Sequence, residues 1–390
     1  MAHFELSEYV LRINNTKKKM QEYGIDVLVI SDPANINYLS GYDGWSFYVP
    51  QYLVLSIDRD EPIWVGRFMD TAGAIITSCI SEDNIFGYPD DYVQSCEKHP
   101  MEFVASLFEK YHWSNKNVGL ELDAYYFTAK SASIFERSLP NAKVKDGTNI
   151  VNWVRAIKSF TEIQYMKEAA KITEKAIQIA IDKVEPGVRQ CDVIAHIYNT
   201  QIKGTEDYGG DYTAICPFLL TGVNSSAPHV TWSDKPIQNN EIVVMELSGA
   251  RLHYHSPLAR TLYLGTPPDE LISLSNIVIE GLYKVLDFIR PGVTCEEIEA
   301  VWRNNALKYN ITKDSRIGYS VGLGYPPDFG EHTLSLRPGD KTIIKENMTI
   351  HIIPSIWLRK WGVEISETIS VTANSANSLA SVPRELILKA

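Results

Sequence analysis

The pattern of apolar and polar positions begins with a helical stripe. Over residues 6–23, Tyr9, Ile13, Thr16 with Lys17, and Met20 recur every three to four positions, and Gly24 closes the stretch. Residues 25–30, IDVLVI, have the composition of a buried strand. Ser31-Asp32-Pro33 reads as a turn, and residues 36–39 lead to Gly41. Further strands are expected at 52–57, 61–65 and 118–121, with helices near 69–77, 101–111 and 125–136. This alternation predicts an α/β domain.

A boundary follows in the run NWVRAIK at 152–158, which divides the chain into domains 1–155 and 156–390. Thr161 with Gln164 fits a capping box, so a long helix is expected from there to about Lys183. The segment 186–192, PGVRQCD, recurs 105 residues later as PGVTCEE at 291–297, where Thr294 and Glu297 form a second capping box. Each copy lies between two helical stretches and leads towards strands. A period this long with two copies implies a duplicated half rather than a solenoid. Between the copies lies EIVVMELSGARLHYHSPLARTLYLG, residues 241–265. It reads as a hairpin with strands at 242–247 and 258–264 and a turn beginning at Gly249. A carboxylate, Glu246, ends the first strand's apolar run, and His253 and His255 precede the second, which makes the hairpin a candidate site.

Composition narrows the function. The 390 residues are 45% hydrophobic and 22% charged, ordinary for a globular enzyme of two domains. A net charge of −11 disfavours nucleic acid or an anionic membrane as partner. Cys79, Cys96, Cys191, Cys216 and Cys295 are scattered, without a C-x-x-C, so reduced thiols are expected and neither a disulfide framework nor a zinc site. Cys216, before a proline, reads as a packing residue. The polar N-terminus has no long apolar run, so a cytoplasmic protein without a signal peptide is expected.

The hairpin resembles that of the metallopeptidase family with the pita-bread fold, which includes methionine aminopeptidase, prolidase and creatinase. Ala259-Arg260-Thr261 matches the family's second strand, and the run from GIDVLVI to NINYLSGY is similar to the N-terminal domain of creatinase and prolidase. The resemblance implies an α/β (α+β) fold: a creatinase-like N-terminal α/β domain, then a pseudo-symmetric pita-bread catalytic domain. The family's five metal ligands fall on Glu246, Pro257, Tyr319, Ile353 and Ser366, none of which is the usual ligand. A hard divalent ion needs several well-placed oxygens or imidazoles, so no metal and no other cofactor is expected. Among members that hydrolyse C–N bonds without metal, the chain resembles the ectoine hydrolases more than creatinase, through the run GYPPDFGE at 324–331.

That resemblance implies a small-molecule substrate, ectoine or a similar amidine, and a set of roles. Glu246 is expected to be nucleophile or base. His229, in an A-x-PH-like loop, is expected to shuttle protons. Substrate contacts are expected from His255, which shares strand parity with Pro257, from Tyr319, and from Glu364, which shares parity with Ser366. Glu331 follows the GYPPDFG loop and either reaches the substrate or builds the wall. His351 shares parity with Ile353 and is a lesser candidate. In creatinase the loop matching 41–52 enters a neighbouring subunit's site and supplies an arginine. Here it carries none, and Trp45 and Tyr48 offer aromatic faces to an amidinium instead. A homodimer with the N-terminal domain lining the neighbour's site is therefore expected. Two alternatives stay open: a creatinase-type amidinohydrolase, and an inactive peptidase-like binding protein.

Overall fold

The structure, a computed structural model, describes residues 3–390. It divides into two compact units, the first ending at Arg155 and the second starting at Ala156. Among the described residues no helix is long and apolar enough to cross a membrane.

In the first unit, α1 (Leu6–Glu22) buries the striped face of Tyr9, Ile13, Thr16 and Met20. The six strands are β1 (Val27–Ile30), β2 (Tyr52–Ser56), β3 (Ile63–Arg67), β4 (Ile85–Tyr88), β5 (Asn117–Leu120) and β6 (Lys143–Asp146). They form one mixed sheet in the order β4-β3-β2-β1-β5-β6. Its helices after α1 are α2 (Pro33–Ser40), α3 (Thr71–Thr77), α4 (Pro100–Lys110), α5 (Ala129–Ser138) and α6 (Ile150–Arg155). Where the sequence suggests a turn at 31–33, the chain starts α2. The Asp32 carboxylate accepts from the amides of Ala34 and Asn35, Pro33 sits in the first helical turn, and Gly41 ends it at φ 76°. The same three residues signal a turn or a helix start, and the buried run after them decides for helix.

The second unit opens with α7 (Phe160–Lys183). Its N-cap is Ser159 with Glu162, two residues before the Thr161 and Gln164 frame read from the sequence. Both frames fit the pattern, and the carboxylate is the stronger acceptor for the Ser159 amide, 2.8 Å away. Helix α8 (Gln190–Lys203) follows, then β7 (Phe218–Thr221), β8 (Ile242–Arg251) and β9 (Tyr254–Leu264). The second half repeats the order with α9 (Asp269–Phe288), α10 (Cys295–Leu307), β10 (Gly318–Tyr325), β11 (Asp328–Ser335) and β12 (Thr349–Ile352). The short strands β13 (Ile356–Trp357), β14 (Gly362–Val363), β15 (Glu367–Val371), β16 (Ala376–Ser378) and β17 (Ile387–Lys389) complete it. Nine strands form one sheet, β16-β15-β12-β10-β9-β8-β7, with β11 on β10 and β17 on β9.

The repeated segments adopt matching conformations. Gly187 and Gly292 turn the chain between helices at φ 87° and 95°. Their amides donate to Ile237 and Ile344, and bridges join Arg189 to Pro236 and Thr294 to Ile343. The duplication read from the sequence is thus a pair of equivalent helix–turn–helix units, each tied to the segment that precedes a sheet strand.

The hairpin differs from its sequence reading in one respect. Gly249 does not turn the chain but continues β8 opposite Ser256. A Cβ there would lie 2.4 Å from the carbonyl oxygen of Ala169, so glycine lets α7 press onto the sheet. Thr173 Oγ1 on α7 accepts from the Gly249 amide at 2.7 Å and lies 2.7 Å from the Ser256 carbonyl. The turn itself falls on Leu252 and His253, at φ 51° and 61°, a two-residue loop of the kind that matches strand twist.

Candidate active site

Strand β8 carries Glu246, paired with Phe218 on β7 and Ala259 on β9. Its neighbours Met245 and Leu247 are buried on the opposite face, so the strand's alternation turns Glu246 towards a cavity. The cavity has a volume of about 640 Å³ and lies wholly within the second unit. His229 lies on its wall, after the short helical turn Gly222–Ser226, with its ring 6.1 Å from that of Phe218. Tyr319 reaches it from β10, and Glu364 from the segment after β14. Four of the expected site residues, Glu246, His229, Tyr319 and Glu364, therefore share one cavity.

The other expected residues lie elsewhere. His255 is fully buried, and both ring nitrogens are engaged: Nε2 accepts from the Ala214 amide at 2.9 Å and Nδ1 donates to the His253 carbonyl at 2.8 Å. Burial, joined by the charge of His253, pushes it down to about 3, so it stays neutral. It fixes the approach to β7 rather than lining the cavity. Glu331 is 1% exposed and forms an ion pair with Lys158 at 2.5 Å. Neither His255 nor Glu331 is among the residues that line this cavity. Trp45 and Tyr48 belong to the first unit, where they are 57% and 65% exposed, with Trp45 4.8 Å from the Phe47 ring.

The structure adds residues that the sequence reading passed over. Lys313, Ser315 and Arg316 line the cavity from the irregular segment before β10, and Asp328 lines it from the start of β11. Lys313 Nζ donates to the Ser355 carbonyl at 2.8 Å. Arg316 donates to Ser335 Oγ at 3.1 Å and lies 4.4 Å from the centre of the Tyr319 ring. Two cations three positions apart, just upstream of Tyr319, were the available signal. They sit in a stretch without periodicity, which gives no face to assign them to.

The cavity holds both signs of charge. Burial, with the charge of Asp328, pushes Glu246 up to about 7. Burial, with the charge of Glu246, holds Glu364 well above the usual carboxylate range against the pull of Lys313. Burial pushes Lys313 down to about 8, opposed by Glu364. At Asp328 burial acts upwards too. It is outweighed by the His332 ring at 2.8 Å and the Gly330 amide at 2.8 Å, so this carboxylate stays ionised. The wall can therefore present anionic and cationic groups to one small ligand, with Glu246 poised near neutrality between base and acid.

Residues 164–373 match the model of metallopeptidase family M24, and residues 12–157 that of the creatinase/prolidase N-terminal domain. The chain belongs to family M24. It is 43% identical over 389 residues to an uncharacterized hydrolase/peptidase of Sinorhizobium fredii, covering 100% of this chain and 99% of that one. It is 42% identical over 393 residues to the ectoine hydrolase of Halomonas elongata, covering 99% and 98%. A prolidase structure from Thermococcus sibiricus superposes with a TM-score of 0.84 over 97% of this chain and 99% of that one, at 20% identity, which speaks for the fold alone. The match confirms the pita-bread architecture expected from the hairpin.

M24 implies a divalent metal, and the donors here do not fit one. Pro257 offers no side-chain oxygen, and its carbonyl accepts from Thr368 Oγ1 at 2.6 Å. Ile353 is apolar. Ser366 Oγ is committed to the Ala259 amide and to His351, each at 2.7 Å. Burial holds Tyr319 protonated, well above its ordinary range. Glu246 is the one carboxylate among the five positions. Among the described residues no group of three or more His, Cys, Asp or Glu is arranged to hold a metal ion.

Proposed function

We propose that this chain opens the ring of ectoine, a cyclic amidine bearing a carboxylate, by adding one water without a metal. The observation that carries the reading is Glu246, a carboxylate at a metal-ligand position of M24 in a cavity that also offers Lys313 and Arg316. Full-length identity of 42% to an ectoine hydrolase supplies the substrate class. A protonated amidine is a flat cation with an electrophilic carbon. Glu246 and Glu364 complement the cation, and Lys313 and Arg316 complement the carboxylate.

Glu246 acts as nucleophile or as base. As nucleophile, its oxygen bonds to the amidine carbon. The electron pair of one ring C–N bond passes to the leaving nitrogen, which takes a proton from His229. Water, giving its proton to His229, then attacks the same carbon. The bond to Glu246 breaks, and an N-acetyl-2,4-diaminobutyrate leaves. As base, Glu246 takes the proton from water that attacks the carbon directly, and the same C–N bond opens. Either route adds one water and restores every group. The reading includes a cytoplasmic homodimer in which Trp45 and Tyr48 face a neighbouring copy.

Purified protein incubated with ectoine, with creatine in a parallel tube, tests the reading by proton NMR and mass spectrometry. A product heavier than ectoine by one water, with a new acetyl signal, is expected. Turnover of creatine and not ectoine would move the protein to a creatinase-type activity.

A further inference from the structure

Behind Tyr319, at the cavity wall, three side chains form one hydrogen-bonded row. Ser366 Oγ accepts from the Ala259 amide at 2.7 Å and lies 2.7 Å from His351 Nε2. His351 Nδ1 lies 3.1 Å from the Tyr319 hydroxyl, and the two rings meet edge to face at 87°. Ser366 and His351 are fully buried, whereas Tyr319 opens onto the cavity.

The protons in this row can be counted. Ser366 Oγ already receives the Ala259 N–H, so its own hydrogen needs an acceptor, because a buried hydroxyl left without one is strongly disfavoured. Among the described residues its other partner is His351 Nε2. That nitrogen is therefore bare. A ring whose Nε2 accepts from the Ser366 hydroxyl is neutral and carries its single proton on Nδ1. Nδ1–H donates to the Tyr319 oxygen. The Tyr319 hydrogen cannot then point back at His351 and must turn into the cavity.

We propose that Ser366 and His351 are positioning residues that fix Tyr319 as a hydrogen-bond donor into the cavity, directed at the ring nitrogen that His229 does not protonate when the amidine carbon is attacked. This rests on the function proposed above. In the amidinium both nitrogens carry hydrogens and their lone pairs are delocalised, so neither accepts a hydrogen bond. Once the carbon is tetrahedral, each nitrogen regains a lone pair. A fixed donor gains its partner only at that point, so it favours the transition state over the bound substrate. Tyr319 keeps its proton throughout and nothing is consumed. Two of the five positions that hold metal in M24 thereby become the two ends of a relay that sets the direction of one O–H bond.

The direct test is the tautomer of His351 in the full-length protein without substrate. Long-range ¹H–¹⁵N correlation on ¹⁵N-histidine-labelled enzyme at neutral pH reads it, with His351→Asn assigning the signal. The proton is expected on Nδ1 with Nε2 bare. A proton on Nε2, or on both nitrogens, would overturn the relay. With ectoine, Tyr319→Phe is expected to lower kcat roughly 100-fold with KM within about threefold. Ser366→Ala, which frees Nε2 to take a proton, is expected to shift the His351 signal towards a tautomer mixture and lower kcat roughly tenfold. An unchanged kcat in Tyr319→Phe would overturn the donor role. The tautomer is read without substrate, so a wild-type enzyme inert towards ectoine would overturn the substrate reading alone.

Discussion

Glu246 and Glu364 line the same cavity, and burial together with the charge of Glu246 keeps Glu364 protonated well above the usual carboxylate range. A cation entering the cavity favours the ionised form of both groups. Binding of an amidinium at pH 7 is therefore expected to release up to about one proton per site. Calorimetric titration in two buffers of different ionisation enthalpy measures this, with a substrate-turnover-deficient variant such as His229→Ala. Equal heats in both buffers would contradict the pairing, and Glu364→Gln should abolish most of the difference.

The rate should follow the ionisation of Glu246. Its folded pKa of about 7 means that nucleophile or base is present above that pH and lost below it. We expect kcat/KM to fall about tenfold per unit on the acid side of pH 7. Glu246→Gln should lower kcat roughly 1000-fold. Near-normal turnover by this variant would remove Glu246 from the chemistry.

Stability should carry the same signature with opposite sign. The folded pKa of Glu246 lies above its ordinary value of 4.5, so between 4.5 and about 7 the folded state binds more protons than the unfolded chain. This contribution to stability is full below 4.5 and lost as pH rises through 7. Glu246→Gln removes the charge and keeps the shape. It should be more stable than wild type by about 2 kcal/mol at pH 8, after allowance for solvent in the cavity. The gain should vanish at pH 4. Urea unfolding at the two pH values checks this, and an equal difference at both would contradict it.

Arg260 anchors the sheet beneath the site. Its fully buried guanidinium bonds Glu367 at 2.7 Å, the Ser366 and Pro383 carbonyls at 2.7 Å, and the Ala259 carbonyl at 2.8 Å. Arg260→Leu leaves Glu367 buried without its main partner and should cost about 3–5 kcal/mol. A loss below about 1 kcal/mol in urea unfolding would show that the network is dispensable.

Much of this architecture is local and therefore legible in sequence. The stripe of α1, the paired PG turns and the polar residue within the apolar run of β8 all follow from spacing and composition. What escapes is set by contacts across long separations. Strand parity puts His255 and Pro257 on one face, but only the fold brings the Ala214 amide over that face. Glu331 pairs with Lys158, 173 positions away, a contact that no local pattern announces. Lys313 and Arg316 enter it from a segment with no period to read. Gly249 signals a turn in sequence, and the close approach of α7 gives it a different use.

The central claim is ring opening without metal at a site where M24 places one. The most direct measurement is ectoine turnover, followed by NMR, in protein treated with chelator and assayed with chelator present, beside samples given manganese, cobalt or zinc. The same rate is expected in all samples, with a product heavier than ectoine by one water. Loss of turnover on chelation, restored by one of the metals, would contradict it.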